Sequence, residues 1–104
     1  MAMTNAALQS LISDAVNDET ITAVIHLNNN KAIVLNYNID KNPYRPKASD
    51  LVFKSVGGLD AMELTRKDAN TNIEYTTTFL TEYVESVLIV PKNGGKIDPQ
   101  ILRW

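Results

Sequence analysis

Thr20-Ile21-Thr22-Ala23-Val24-Ile25-His26-Leu27, then Asn28-Asn29-Asn30, then Ala32-Ile33-Val34-Leu35-Asn36-Tyr37-Asn38-Ile39 is the stretch that decides the fold. Ile21, Ala23, Ile25 and Leu27 alternate with Thr20, Thr22, Val24 and His26. In the second run Ile33, Leu35, Tyr37 and Ile39 alternate with Val34, Asn36 and Asn38. β-Branched residues in a period of two fit a pleated strand. The asparagines between the runs tolerate the left-handed backbone that a tight connection needs. Residues 20–39 are therefore expected to form a β-hairpin with one buried face.

Upstream, the period changes. Leu8, Leu11, Ile12, Ala15 and Val16 follow the i, i+3, i+4, i+7, i+8 spacing of one helical stripe. Thr4 or Asn5 can cap the first turn through a side-chain oxygen, and Asn17-Asp18 supplies poor helix formers at the stop. Gln9, Ser13 and Asn17 make the opposite face polar, so the helix over 5–17 is expected to cover a sheet.

Downstream, Lys41-Asn42-Pro43-Tyr44-Arg45-Pro46-Lys47 breaks the strand pattern, because proline removes a ladder donor and fixes φ. Leu51–Val56 and Met62–Lys67 read as strands on either side of Gly57-Gly58. Asp68–Asn72 is a turn, and Ile73–Phe79 returns with Ile73, Tyr75, Thr77 and Phe79 on one side. Residues 79–90 carry two periods at once. Phe79, Leu80, Tyr83, Val84, Val87 and Leu88 recur at helical spacing, whereas Val87–Val90 is a β-branched run stopped by Pro91. A short helix or turn at Thr81–Glu85 followed by a strand over 86–90 is preferred to one helix over 79–90. Asn93-Gly94-Gly95 reads as a turn, and the segment from Ile97 to Trp104 as a docking tail. The expected fold class is α+β in one domain over 1–104: an N-terminal amphipathic helix packed on an antiparallel sheet of about five strands, curled towards a partial barrel.

Composition narrows the chemistry. The chain has 104 residues, a size that buries one core without staples. It has no Cys, which excludes disulfides, thiolate zinc sites, thiol catalysis and iron–sulfur clusters. No cation precedes Lys31, so a secretory signal has no basic segment to begin with and a cytoplasmic location is expected. Val87–Val90 is far short of a membrane span. The net charge of −2 is unevenly spread. Lys31, Lys41, Arg45, Lys47 and Lys54 face only Asp40 and Asp50 over residues 31–54, so a local basic face is possible on an acidic chain.

Few residues carry a chemical signature. His26 is the only histidine, and no serine lies in a Gly-x-Ser-x-Gly elbow, so His26 is read as a cross-strand or solvent-facing residue. Asp68-Ala69-Asn70-Thr71-Asn72 copies the start of a calcium loop, but Ile73 replaces the turn glycine and Phe79 the bidentate glutamate. A hairpin turn explains it better. Glu82 and Glu85 are read as two exposed carboxylates, and the Gly pairs belong to no phosphate-binding fingerprint. No metal, cofactor or catalytic residue is expected.

The stretch that remains is Lys41–Lys47. Prolines stiffen it, and Tyr44 and Arg45 are residue types that anchor interfaces. Lys92 and Lys96 could extend the same face. The sequence therefore points to a non-enzymatic interaction module, homo-oligomeric or bound to another protein through surface loops and sheet edges. Leu102-Arg103-Trp104 is a further element expected to dock on its own domain or on a neighbour. The alternative is an RNA- or single-stranded DNA-binding domain that uses Lys41, Tyr44, Arg45, Lys47, Lys92 and Lys96.

Overall fold

A computed structural model describes residues 2–37, 45–68 and 70–91. Helix α1 (Asn5–Asn17) opens the fold, followed by β1 (Thr22–Leu27) and β2 (Ala32–Leu35). After a 3₁₀ turn (Ala48–Asp50) come β3 (Val52–Val56), β4 (Leu59–Lys67) and β5 (Glu74–Leu80). A second 3₁₀ turn (Thr81–Tyr83) leads into β6 (Val84–Val90). The class is α+β, as the periodicities predict. Among the described residues the strands number six, and they form two antiparallel three-stranded sheets, β2-β1-β6 and β3-β4-β5, rather than one sheet.

Helix α1 starts where its cap does. Thr4 is extended, and its Oγ1 accepts the Ala7 N–H at 3.2 Å. Only Leu8, Ile12 and Ala15 are buried; Leu11 and Val16 remain 48% and 42% exposed. The covered stripe is narrower than the sequence pattern, because the helix meets the core along one line. Ile25 and Ile33 face each other across β1 and β2, and Leu8, Ile12, Met62 and Leu64 join them in one cluster. Each such large aliphatic side chain contributes about 1.5–3 kcal/mol on full burial.

Strand β1 departs from the one-faced reading. Thr22 and Val24, on its other face, are 2% and 0% exposed, and Val24 packs with Ala32, Val34 and Tyr37 in a second small cluster. As the central strand of its sheet β1 is covered on both faces, which a period of two cannot announce. His26 lies across from Ala32 and Ser86 and is half buried, as expected of a cross-strand residue.

Between residues 79 and 90 the strand propensity wins. The chain leaves the second sheet at Leu80, turns once, and enters the first sheet at Val84. Register against β1 skips Glu85 between His26↔Ser86 and Leu27↔Val84, a β-bulge at the corner. The corner is pinned by the start of the helix: Thr81, fully buried, donates its hydroxyl to Asn5 Oδ1 at 2.6 Å.

The β3–β4 connection is a two-residue turn, with Gly57 at φ 57° and Gly58 at φ 82°. Both central residues at positive φ is what a hairpin of this length prefers, and glycine meets it without a side-chain penalty. The Asp68–Asn72 turn connects β4 to β5, as read from the sequence. The Asp68 carboxylate accepts the Asn70 and Thr71 N–H groups at 2.7 and 3.1 Å.

Candidate functional site

Of the six residues that the sequence assigns to a basic face, Arg45 and Lys47 are among those described. Lys41, Tyr44, Lys92 and Lys96 lie outside the described residues, as does Leu102-Arg103-Trp104. Arg45 and Lys47 serve different neighbours. The Arg45 guanidinium carbon sits 5.8 Å from the centroid of the Tyr37 ring, within cation–π range. Lys47 Nζ instead lies 3.2 Å from the Glu19 carboxylate, beyond the end of α1.

Arg45 is joined by a residue that the loop-based reading passed over. Arg66 stands directly opposite Tyr75 across β4 and β5. Both share the strand face of Leu64 and Thr77, at the end where the core gives way to solvent. Burial first, and the nearby Arg45 charge second, lower the Arg66 pKa from its ordinary value, while Asp68 acts the other way. A depression of about 210 Å³ is lined here by Arg66, Lys67, Asp68, Tyr75 and Thr77. Two guanidinium groups and two tyrosines thus gather at one end of the fold. The 68–72 turn carries the signal that could have found half of this cluster. Closing a hairpin there sets Lys67 against Glu74, and hence Arg66 against Tyr75.

A second feature is the open side of the β3-β4-β5 sheet. Every residue from Glu74 to Thr78 is exposed, on both strand faces, and among the described residues β5 pairs with β4 alone. Its register with β4 brings Thr76 Oγ1 within 3.0 Å of Thr65 Oγ1. Around this sheet Val52, Leu59, Ile73 and Tyr75 are each about half exposed. The opposite edge, β3, carries Lys54 at its midpoint, ion-paired with Glu63 on β4.

The remaining candidates gain little. A groove of about 280 Å³ between α1 and β3 is lined by Gln9, Ile12, Ser13, Val16, Ala48 and Phe53 among others, with no charged side chain among the described residues on it. Glu82 lies on the 3₁₀ turn and Glu85 on the bulge, so no helix face unites them. Among the described residues no group of three or more His, Asp or Glu side chains converges to hold a metal ion, and no helix is long and apolar enough to cross a membrane. Comparison with protein-family models, curated proteins and solved structures finds no match to this chain.

Proposed function

We propose that this protein is a non-enzymatic interaction module that associates with copies of itself through a sheet edge. The observation that carries the reading is the run Glu74–Thr78, exposed on both faces of β5, a strand that among the described residues pairs with β4 alone. An edge strand presents a row of backbone donors and acceptors to any chain that can pair with them, and proteins usually blunt such edges with charge or proline. Glu74 is the only charged residue in this run, and it stands at its end opposite Lys67 of β4. Closed symmetric dimers are the commonest outcome when one edge meets its own copy. Light scattering across a dilution series of the full chain tests the reading. A mass of two or more copies that falls on dilution supports it, and a monomer mass at every concentration contradicts it.

A second reading has one observation in its favour, the gathering of Arg45, Arg66, Tyr37 and Tyr75. Cations that meet phosphates and an exposed aromatic face that stacks a base are what single-stranded nucleic acid requires. This reading keeps Arg45 from the sequence analysis and moves its partners onto the sheet. Fluorescence anisotropy of a labelled oligonucleotide at low salt tests it. Binding that weakens with salt and on Arg45→Ala and Tyr75→Ala supports it; no binding removes it.

A further inference from the structure

We infer that a single strand of nucleic acid runs along one face of β5, from Arg66 and Tyr75 past Thr77 to Lys31, in the gap between the two sheets. The inference rests on the second reading above and extends its site from one end of the fold to a path with two ends.

Strand alternation sets Tyr75, Thr77 and Phe79 on one face of β5. Their partners on β4, Arg66, Leu64 and Met62, share that face. Leu64 and Met62 are fully buried, whereas Thr77 and Tyr75 are exposed, so the face leaves the core towards its Tyr75 end. Two cavities open along it. One is the depression of about 210 Å³ lined by Arg66, Lys67, Asp68, Tyr75 and Thr77. The other, of about 200 Å³, lies between β5 and the start of β2 and is lined by Leu27, Lys31, Ala32, Ile33, Thr77 and Phe79. Thr77 lines both, so the two adjoin at this residue. From Tyr75 to Phe79 the strand rises about 13 Å. At the spacing of about 3.4 Å between stacked nucleotides that is room for about four, the lower end of the site size of a small single-strand-binding domain.

Charge selects the occupant. Among the described lining residues Arg66, Lys67 and Lys31 are cationic and Asp68 alone is acidic. The Asp68 Oδ1 is already engaged by the Asn70 and Thr71 N–H groups of its own turn. The cations stand at the two ends of the path, and hydroxyl, aromatic and aliphatic groups lie between them. A lone phosphate needs only one of those ends, and an uncharged apolar molecule needs neither. A duplex turns its base faces inward and leaves the half-exposed Tyr75 ring nothing to stack on. A single strand supplies spaced phosphates and open base faces together.

Fluorescence anisotropy of a labelled oligothymidylate at low salt reads the path, once circular dichroism has shown each variant folded. Thr77→Glu puts a carboxylate in the middle of the path. Thr76→Glu puts the same charge one residue away on the other face of β5, opposite Thr65. Like charges brought together across an interface are costly, so Thr77→Glu is expected to weaken binding by about tenfold or more and Thr76→Glu only slightly. Lys31→Ala is expected to weaken binding several-fold and to flatten the slope of log affinity against log salt by about 0.7, the share of one phosphate on a single strand. Equal losses in Thr77→Glu and Thr76→Glu, or an unchanged salt slope in Lys31→Ala, overturn the path, and binding that still depends on Arg45 and Tyr75 then leaves the second reading standing. No binding by the unmodified chain overturns both.

Discussion

The Asn36 side-chain amide donates to the Ala15 carbonyl at 2.6 Å, tying the last turn of the helix to the end of the second strand across 21 residues of sequence. The same side chain donates to the Ile21 carbonyl and accepts the Ala48 N–H at 2.8 Å, while the Asn36 carbonyl accepts the Thr22 hydroxyl. Asn36 is 3% exposed and sits at φ 62°, a conformation that asparagine tolerates and most side chains do not. Replacing it with Ala strands several buried backbone groups, each costing about 1–3 kcal/mol, and adds backbone strain. Asn36→Ala is therefore expected to lose at least ~3 kcal/mol in urea unfolding. Asn36→Gly relieves the strain alone and should recover ~1 kcal/mol of that loss. Equal stability of Asn36→Ala and the parent chain would refute this role.

At the other end of the helix, Asn5 joins three elements. Its N–H donates to Asp60, its side-chain amide to the Lys54 carbonyl, and its Oδ1 accepts the Thr81 hydroxyl. Asn5→Ala leaves the fully buried Thr81 hydroxyl without its acceptor and is expected to cost about 1–3 kcal/mol. Thr81→Val removes the buried hydroxyl itself, leaving only the half-exposed Asn5 oxygen, which water can reach, so its cost should be below ~1 kcal/mol. The order of the two denaturation midpoints is the test; Thr81→Val as the more damaging change contradicts it.

The Gly57-Gly58 turn gives a conformational prediction free of packing. A Cβ at either glycine meets no atom within 4 Å, so only the positive φ resists substitution. Gly57→Ala is expected to cost about 1–2 kcal/mol, and Gly57→Asn less. Thermal unfolding of the two variants decides it, and equal losses would show that φ is not the cause.

Acid should loosen the β4–β5 turn before it unfolds the core. Hydrogen bonds from the Asn70 N–H, and then the Thr71 N–H, lower the Asp68 pKa from its ordinary value. A depressed carboxylate contributes stability that is complete above its unfolded value, about 3.9, and is lost as pH falls through the folded one. The Asn70 and Thr71 amide resonances are expected to stay constant down to about pH 4 and to shift below it. A shift centred above that value would mean that the carboxylate is not held by the turn.

How much of this was legible in the sequence differs between elements. Ile25 and Ile33 announced their pairing because β-branched residues alternated on both sides of an asparagine turn, and the bonds that fix them are local. Val24 gave no sign that its face was covered too, since periodicity separates two faces without saying what lies on the second. Leu11 and Val16 fit the helical stripe yet stayed half exposed, because the width of the covered stripe is set by the sheets beneath it. Arg45 and Lys47 read as one basic patch, but their partners, Tyr37 and Glu19, belong to different strand and helix ends that only the tertiary fold positions. The exposed edge at Glu74–Thr78 was hidden for a related reason. A threonine-rich strand looks alike whether it is exposed or covered on its faces.

Amide hydrogen exchange of residues 74–78, compared at high and low chain concentration, tests the central claim most directly. Pairing of β5 with its own copy protects amides that pair with no other described strand. The expected result is slower exchange at alternate residues of the run as concentration rises, with the β3 edge at Val52–Val56 unchanged. Exchange of residues 74–78 that is fast at every concentration, in a chain that nonetheless associates, would contradict it.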